Sequence, residues 1–157
     1  MQPVILLNTV GLTGRHLSLA PRLSALAKAG WQRPLSEVTP AVTCTVQASM
    51  LTGQADAADA CRSLVERGIP LVALKRGRDG STVFTADECI DVPSLAVTEV
   101  DPTGAGDCFD AGFVVGLLQG WDPARAARFA NIVGALSVIR QGPMEGVPYL
   151  AEVMALM

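Results

Sequence analysis

The stretch that most constrains this chain is Asp101-Pro-Thr-Gly-Ala-Gly-Asp-Cys-Phe-Asp110. Three small residues, Gly104, Ala105 and Gly106, stand between a threonine and an acid. The residues from Asp107 to Gly120 then read as a helix with an apolar face. A small-residue turn opening a helix leaves backbone N–H groups unpaired at the positive end of the helix dipole, which makes an anion site. Glycine lets a phosphate approach the backbone with no Cβ in the way. Asp107 falls in the first turn, where a carboxylate suits the removal of a proton from an attacking hydroxyl. The plainer alternative is a glycine-rich strand–helix turn with an acid at its cap.

The same residues resemble the D-T-x-G-A-G-D signature of the PfkB/ribokinase family of carbohydrate and nucleoside kinases. Pro102 departs from it, standing where Thr is usual. The resemblance implies that Gly104, Ala105 and Gly106 form the anion hole, with Thr103 beside the nucleotide, and that Asp107 is the catalytic base. A second matching segment lies upstream. Ile69–Leu74 reads as an apolar strand, Lys75-Arg-Gly-Arg-Asp-Gly80 as a turn and Ser81–Phe84 as a returning strand. By itself this is a hairpin. Gly77 and Gly80 match the family's T-x-G-x-x-G, with Lys75 where Thr is common, and the resemblance lays this segment along the ATP phosphates and ribose. Downstream, Ala130-Asn-Ile-Val-Gly-Ala-Leu-Ser137 resembles the family's adenine-side helix. That match puts Asn131 near the adenine; the alternative is a polar residue on a packed helix. Asp101 matches a position where some relatives hold a monovalent cation. The cofactors implied are ATP and Mg2+, with K+ as the monovalent ion.

Helical spacing marks two further stretches of this part. Asp56–Arg67 brings Ala57, Ala60, Cys61, Leu64 and Val65 to one face, and Gly68 ends it. Pro123–Arg140 carries Ala126, Ala127, Ala130, Val133, Gly134 and Val138 at helical spacing. Glu88–Val92 and Ala96–Val100 read as short strands or extended segments, and Val147–Met157 as a closing helix.

The first third reads differently. Val4–Leu7 is a short buried strand, 8–14 a turn-rich connection, and Pro21–Ala29 a helix stopped by Gly30. Val38–Gln47 is strand or extended loop, and Leu51-Thr-Gly53 closes the block. These segments resemble the N-terminal end of the alkaline phosphatase-like nucleotide pyrophosphatase/phosphodiesterase family, with Asn8 at a metal-ligand position and Thr43 at the nucleophile. Asn is a poorer ligand than Asp for a hard cation, and a threonine without two metals to activate it is inert. Residues 1–53 are therefore expected to be a phosphodiesterase-like fragment without hydrolase activity. Residues 54–157 are expected to be the PfkB/ribokinase-like nucleotide-binding region. The L-T-G at 51–53 fits both patterns, consistent with a fusion of two truncated genes.

Composition narrows the function classes. The chain has 157 residues, 50% hydrophobic and 4% aromatic, enough for one domain with an aliphatic core. A net charge of −3 with no basic run argues against a nucleic-acid partner. Cys44, Cys61, Cys89 and Cys108 have no metal-ligand or C-x-x-C spacing, which suits reduced thiols in a cytoplasmic protein. His16 matches no ligand spacing. Neither a membrane-spanning run nor a signal peptide is read.

The expected fold is α/β: a partial ribokinase-like three-layer α/β/α arrangement with a mainly parallel sheet. The expected function is ATP-dependent phosphorylation of a small-molecule carbohydrate or nucleoside by a truncated or fused kinase. The alternatives are a nucleotide-binding remnant without catalysis and a phosphodiesterase fragment. Loss of half a kinase domain would leave open edges and apolar faces, so self-association or a homo-oligomer is also expected.

Overall fold

The structure is a computed structural model that describes residues 5–6, 41–142 and 144–157. Asn8, the 8–14 connection, His16 and the helix expected over Pro21–Ala29 lie outside the described residues. The chain forms two compact units. One runs to Leu74 and includes Phe84–Glu88; the other comprises Lys75–Val83 and Cys89–Met157.

In the first unit β1 (Ile5–Leu6) pairs in parallel with β2 (Ala41–Cys44), with Ile5 opposite Ala41 and Leu6 opposite Val42. The strand order here is β1-β2-β3, where β3 is Val72–Lys75 and its last residue belongs to the second unit. Helix α1 (Thr45–Thr52) follows β2 directly. This corrects the extended reading of Thr45–Gln47. Thr45 and Val46 favour strands by propensity, but the preference is weak and packing overrides it. Ala48 is fully buried in the unit's core.

Helix α2 (Ala57–Glu66) matches its sequence pattern. The Asp56 carboxylate accepts the N–H groups of Ala58 and Asp59, each at 2.9 Å, and so satisfies two donors that the helix leaves open. Ala60, Cys61 and Leu64 are buried, with Ala57 and Val65 packed beside them. They join Ala48, Ile69, Val72, Leu74 and Phe84 in one aliphatic cluster. Residues on both sides of position 53 thus share a single core. Arg62 lays its guanidinium over the Phe84 ring, 5.8 Å from the centroid.

The second unit holds a tight turn after Lys75, then β4 (Ser81–Phe84, of which Ser81–Val83 belong here) beside β5 (Cys89–Val92). Thr82 donates its hydroxyl to the Asp91 carboxylate at 2.6 Å across this pair. Residues 93–99 carry no ladder, although Ala96–Val100 has strand-like composition. Helix α3 (Ala105–Leu118) begins two residues earlier than expected and packs against α4 (Pro123–Ser137). Asp122 caps α4 by accepting the Arg125 N–H at 2.9 Å, with Pro123 at its first position. Gly116 explains the close crossing: a Cβ there would stand 2.9 Å from the Ala126 Cα. The closing helix α5 shrinks to Leu150–Met154. Val153 packs with Phe129 and Ile132, and Trp121 meets the Phe129 ring edge-on at 5.3 Å. No described helix is long and apolar enough to cross a membrane.

Candidate active site

The loop before α3 is tied down from both ends. The N–H groups of Val100 and Asp101 donate to the Val138 carbonyl, at 2.8 and 3.1 Å. Asp101 Oδ1 accepts the Thr103 N–H at 3.0 Å, and Oδ2 accepts the Gly142 N–H at 2.9 Å. The Thr103 hydroxyl and these two N–H groups hold the Asp101 carboxyl below its usual pKa. The carboxylate therefore pins the loop to the segment after α4.

Gly104 then takes the left-handed conformation, φ +85°, at the cap of α3. A side chain there would be strained, and no side chain caps the helix start. The Ala105 N–H turns back to the Pro102 carbonyl at 3.2 Å. Gly106 and Asp107 follow in the first turn, where the helix offers their N–H groups no carbonyl. The start of α3 is thus open to an anion, with the exposed Asp107 beside it. Burial raises the pKa of the neighbouring Cys108 thiol; the Ser137 hydroxyl opposes this and the Asp107 charge adds to it. Cys108 is accordingly a neutral thiol.

The turn before β4 faces the same space. Arg76 donates its N–H to the Gly80 carbonyl at 2.8 Å, closing a short 3₁₀ turn over Gly77–Asp79. Gly80 has φ +91°, and a Cβ there would collide with the Val92 carbonyl oxygen and stand 2.6 Å from the Ser94 nitrogen. Gly80→Ala is therefore expected to cost about 2–4 kcal/mol, combining backbone strain with overpacking. Urea unfolding checks this; an unchanged midpoint would show that the turn relaxes freely.

Between the Gly77–Gly80 turn and the Ala105–Gly106 helix start lies a cavity of about 730 Å³. Leu95, Val97, Phe109 and Val138 give it an apolar side. Of the residues expected from sequence, Gly77, Gly80, Ala105, Gly106 and Asn131 all line it. Gly104 and Asp107 flank Ala105–Gly106, while Thr103 and Asp101 build the loop behind them. Asn131 has a packing task as well. It is buried, and its Nδ2 donates to the carbonyls of Val92 (2.9 Å) and Pro93 (3.3 Å). Its amide hydrogens hold the strap that walls the cavity.

Sequence reasoning missed one feature. Lys75 Nζ lies 2.8 Å from Asp110 Oδ1, with the two side chains 13% and 2% exposed. The signal was present: Asp110 is an acid among Phe109, Gly112 and Phe113, and a buried acid needs a counter-charge. Among the described residues no group of three His, Cys, Asp or Glu side chains could hold a metal ion.

Comparison with known proteins gives this geometry a setting. A sugar kinase of Archaeoglobus fulgidus is 39% identical over 92 residues, covering 59% of this chain and 36% of its own length. The ribokinase of Bacillus subtilis is 39% identical over 84 residues, 54% of this chain and 29% of its own. Among solved structures, an E. coli ribokinase II in complex with ATP and Mg2+ superposes with a TM-score of 0.76 at 34% identity. That match covers 88% of this chain and 44% of the other. A Vibrio cholerae fructokinase with fructose, ADP and calcium bound gives 0.75 at 27% identity, covering 88% and 46%. The chain thus spans less than half the length of each of these proteins. Its architecture is α/β, a partial ribokinase-like fold. The model of the pfkB family of carbohydrate kinases matches residues 19–149, beginning well inside the block that resembles a phosphodiesterase. With the match extending over most of its length, the chain belongs to the pfkB family of carbohydrate kinases.

Proposed function

We propose that the chain carries the nucleotide-handling half of an ATP-dependent kinase for a sugar or nucleoside hydroxyl. The observation that carries this reading is the cavity between a glycine turn and the open N-terminus of α3. Its apolar side suits a nucleobase, and its helix-start end suits phosphates. In this reading Asp107 accepts the proton of the substrate hydroxyl as that oxygen bonds to the γ-phosphorus and the bond to ADP breaks. The N–H groups around Gly104, Ala105 and Gly106 stabilise the charge on the transferring group. Gly77 and Gly80 allow the phosphates and ribose close to the backbone, and Thr103 lies on the loop beside them. Asn131 serves the adenine end by holding the wall at Val92 and Pro93. Mg2+ would arrive on the nucleotide phosphates and neutralise their charge, since the described side chains provide no cage of their own. Asp101 stays ionised and is the proposed partner for K+.

A second reading is nucleotide binding without catalysis, favoured by a cavity whose described features suit a nucleotide. Phosphoryl transfer needs a positioned acceptor and exclusion of water. One experiment separates the readings: calorimetry with Mg·ADP on the full chain, beside a coupled assay over a panel of sugars and nucleosides. Binding with turnover supports the kinase, and binding alone supports the remnant. No binding at all would refute both.

The division at residue 53 is proposed as a boundary of sequence origin only and not of packing, which runs across it. Thr43 is fully buried in β2, which suits structure and not a nucleophile. Thr43→Ala is expected to leave any measured activity unchanged. A nitrophenyl phosphodiesterase activity lost on that change would restore the hydrolase reading.

A further inference from the structure

We infer that Gly134 is a specificity-determining residue: its missing side chain leaves a recess in the cavity wall that admits the face of a purine, the larger of the two nucleobase classes. The inference rests on the reading of the cavity as a nucleotide site and concerns its base end alone. Three glycines face the contact between α3 and α4: Gly112 and Gly116 on α3, and Gly134 on α4. Packing accounts for two of them. A Cβ at Gly112 would stand 3.1 Å from the Ala130 Cα, and one at Gly116 would stand 2.9 Å from the Ala126 Cα. Each therefore lets the two backbones approach. Gly134 has no such duty. A Cβ there would meet the Ala105 carbonyl oxygen at 3.5 Å and the Phe109 Cβ at 3.8 Å, both ordinary contact distances. Beyond its own helix nothing else among the described residues lies within 4 Å. Nor does Gly134 end its helix, which continues to Ser137. Glycine inside a helix is less stable than alanine, because its backbone loses more freedom on folding. The fold has room for alanine here and would gain from it, so the reason for glycine lies on the cavity side. Gly134 lines the cavity beside Ala135, with Val138 one turn further on, and Leu95 and Val97 line it too. Without a Cβ this part of α4 presents bare backbone, on which an aromatic ring can rest without being lifted by a methyl group. A purine's two rings extend further over such a surface than a pyrimidine's one, and so depend on it more.

The test uses the full chain, with Gly134→Ala as the variant and Gly116→Ala as the packing control. Calorimetry compares Mg·ADP with Mg·CDP, which share their phosphates and differ in the base. Gly134→Ala is expected to raise the Tm by about 1–4 °C, the gain of a helix-interior Gly→Ala change in a chain of this size. Gly116→Ala should lower it, because its Cβ would press on the Ala126 backbone. In Gly134→Ala the Mg·ADP affinity is expected to fall roughly tenfold or more, the effect of one methyl group in a fitted pocket, while Mg·CDP stays within about threefold. A lowered Tm in Gly134→Ala would show that the glycine serves packing and would overturn the inference. Unchanged Mg·ADP affinity would overturn it as well, while leaving the nucleotide site standing. Equal losses for Mg·ADP and Mg·CDP would also overturn it, by placing the effect of the methyl at the Ala105 helix start and not at the base. Absence of Mg·ADP binding in the parent chain would instead remove the nucleotide reading, and this inference with it.

Discussion

Gly106→Val is expected to abolish nucleotide binding, raising the Kd for Mg·ADP by more than about 100-fold, or roughly 2.7 kcal/mol. Gly106 is the second residue of α3 and lines the cavity. A phosphate at this helix start would approach the backbone N–H groups directly, and a branched Cβ at 106 would occupy that approach. The change is mild for the helix itself. Valine and glycine are both modest helix formers, and residue 106 lies in a first turn that is only partly enclosed. Loss of binding with near-parental thermal stability is therefore the expected pair of results. Calorimetry and a thermal melt on the same preparation decide it. Equal affinity in the two proteins would mean that residues 104–106 form a structural turn and nothing more.

Asp107→Asn should have the opposite profile. The substitution keeps size and shape but removes the proton acceptor, so any turnover should fall by roughly 10²–10⁴-fold, the usual contribution of a positioned general base. Binding should persist or tighten slightly, because a negative charge next to the phosphates is lost. The exposed position of Asp107 keeps the stability cost small. An acid in the first turn of a helix contributes about 0.3–1 kcal/mol through the helix dipole. A coupled kinase assay run with Mg·ADP calorimetry separates these effects. Turnover within threefold of the parent chain would place the base elsewhere.

The contrast between α2 and α1 shows where sequence reasoning succeeds. Asp56, the Ala57–Val65 face and Gly68 each announce a helix through interactions a few residues apart, and the helix is there. Helix α1 has no comparable stripe. Its β-branched start looks like a continuing strand, and only the burial of Ala48 among residues from α2 and the following strand reveals it. The same distinction holds at the site. Gly104, Ala105, Gly106 and Asp107 belong to one turn and the helix it opens, so adjacent residues specify their conformation. Asn131 shows the opposite case, since both its readings depended on whether its amide met a ligand or the carbonyls of Val92 and Pro93, 39 and 38 positions away.

The sequence by itself therefore determined the local parts: the glycine turn at 77–80, the small-residue start of α3 and the caps at Asp56 and Asp122. These depend on backbone sterics and on hydrogen bonds spanning two to four residues. Only the tertiary structure decided that the two glycine segments share one cavity, that Asp101 clamps its loop to Gly142, and that Asp110 is neutralised by Lys75. Those contacts join residues 25 to 41 positions apart. Chain folding brings such groups together, and a buried charge or a backbone donor takes whichever partner arrives, so neither partner can be read from its own neighbours.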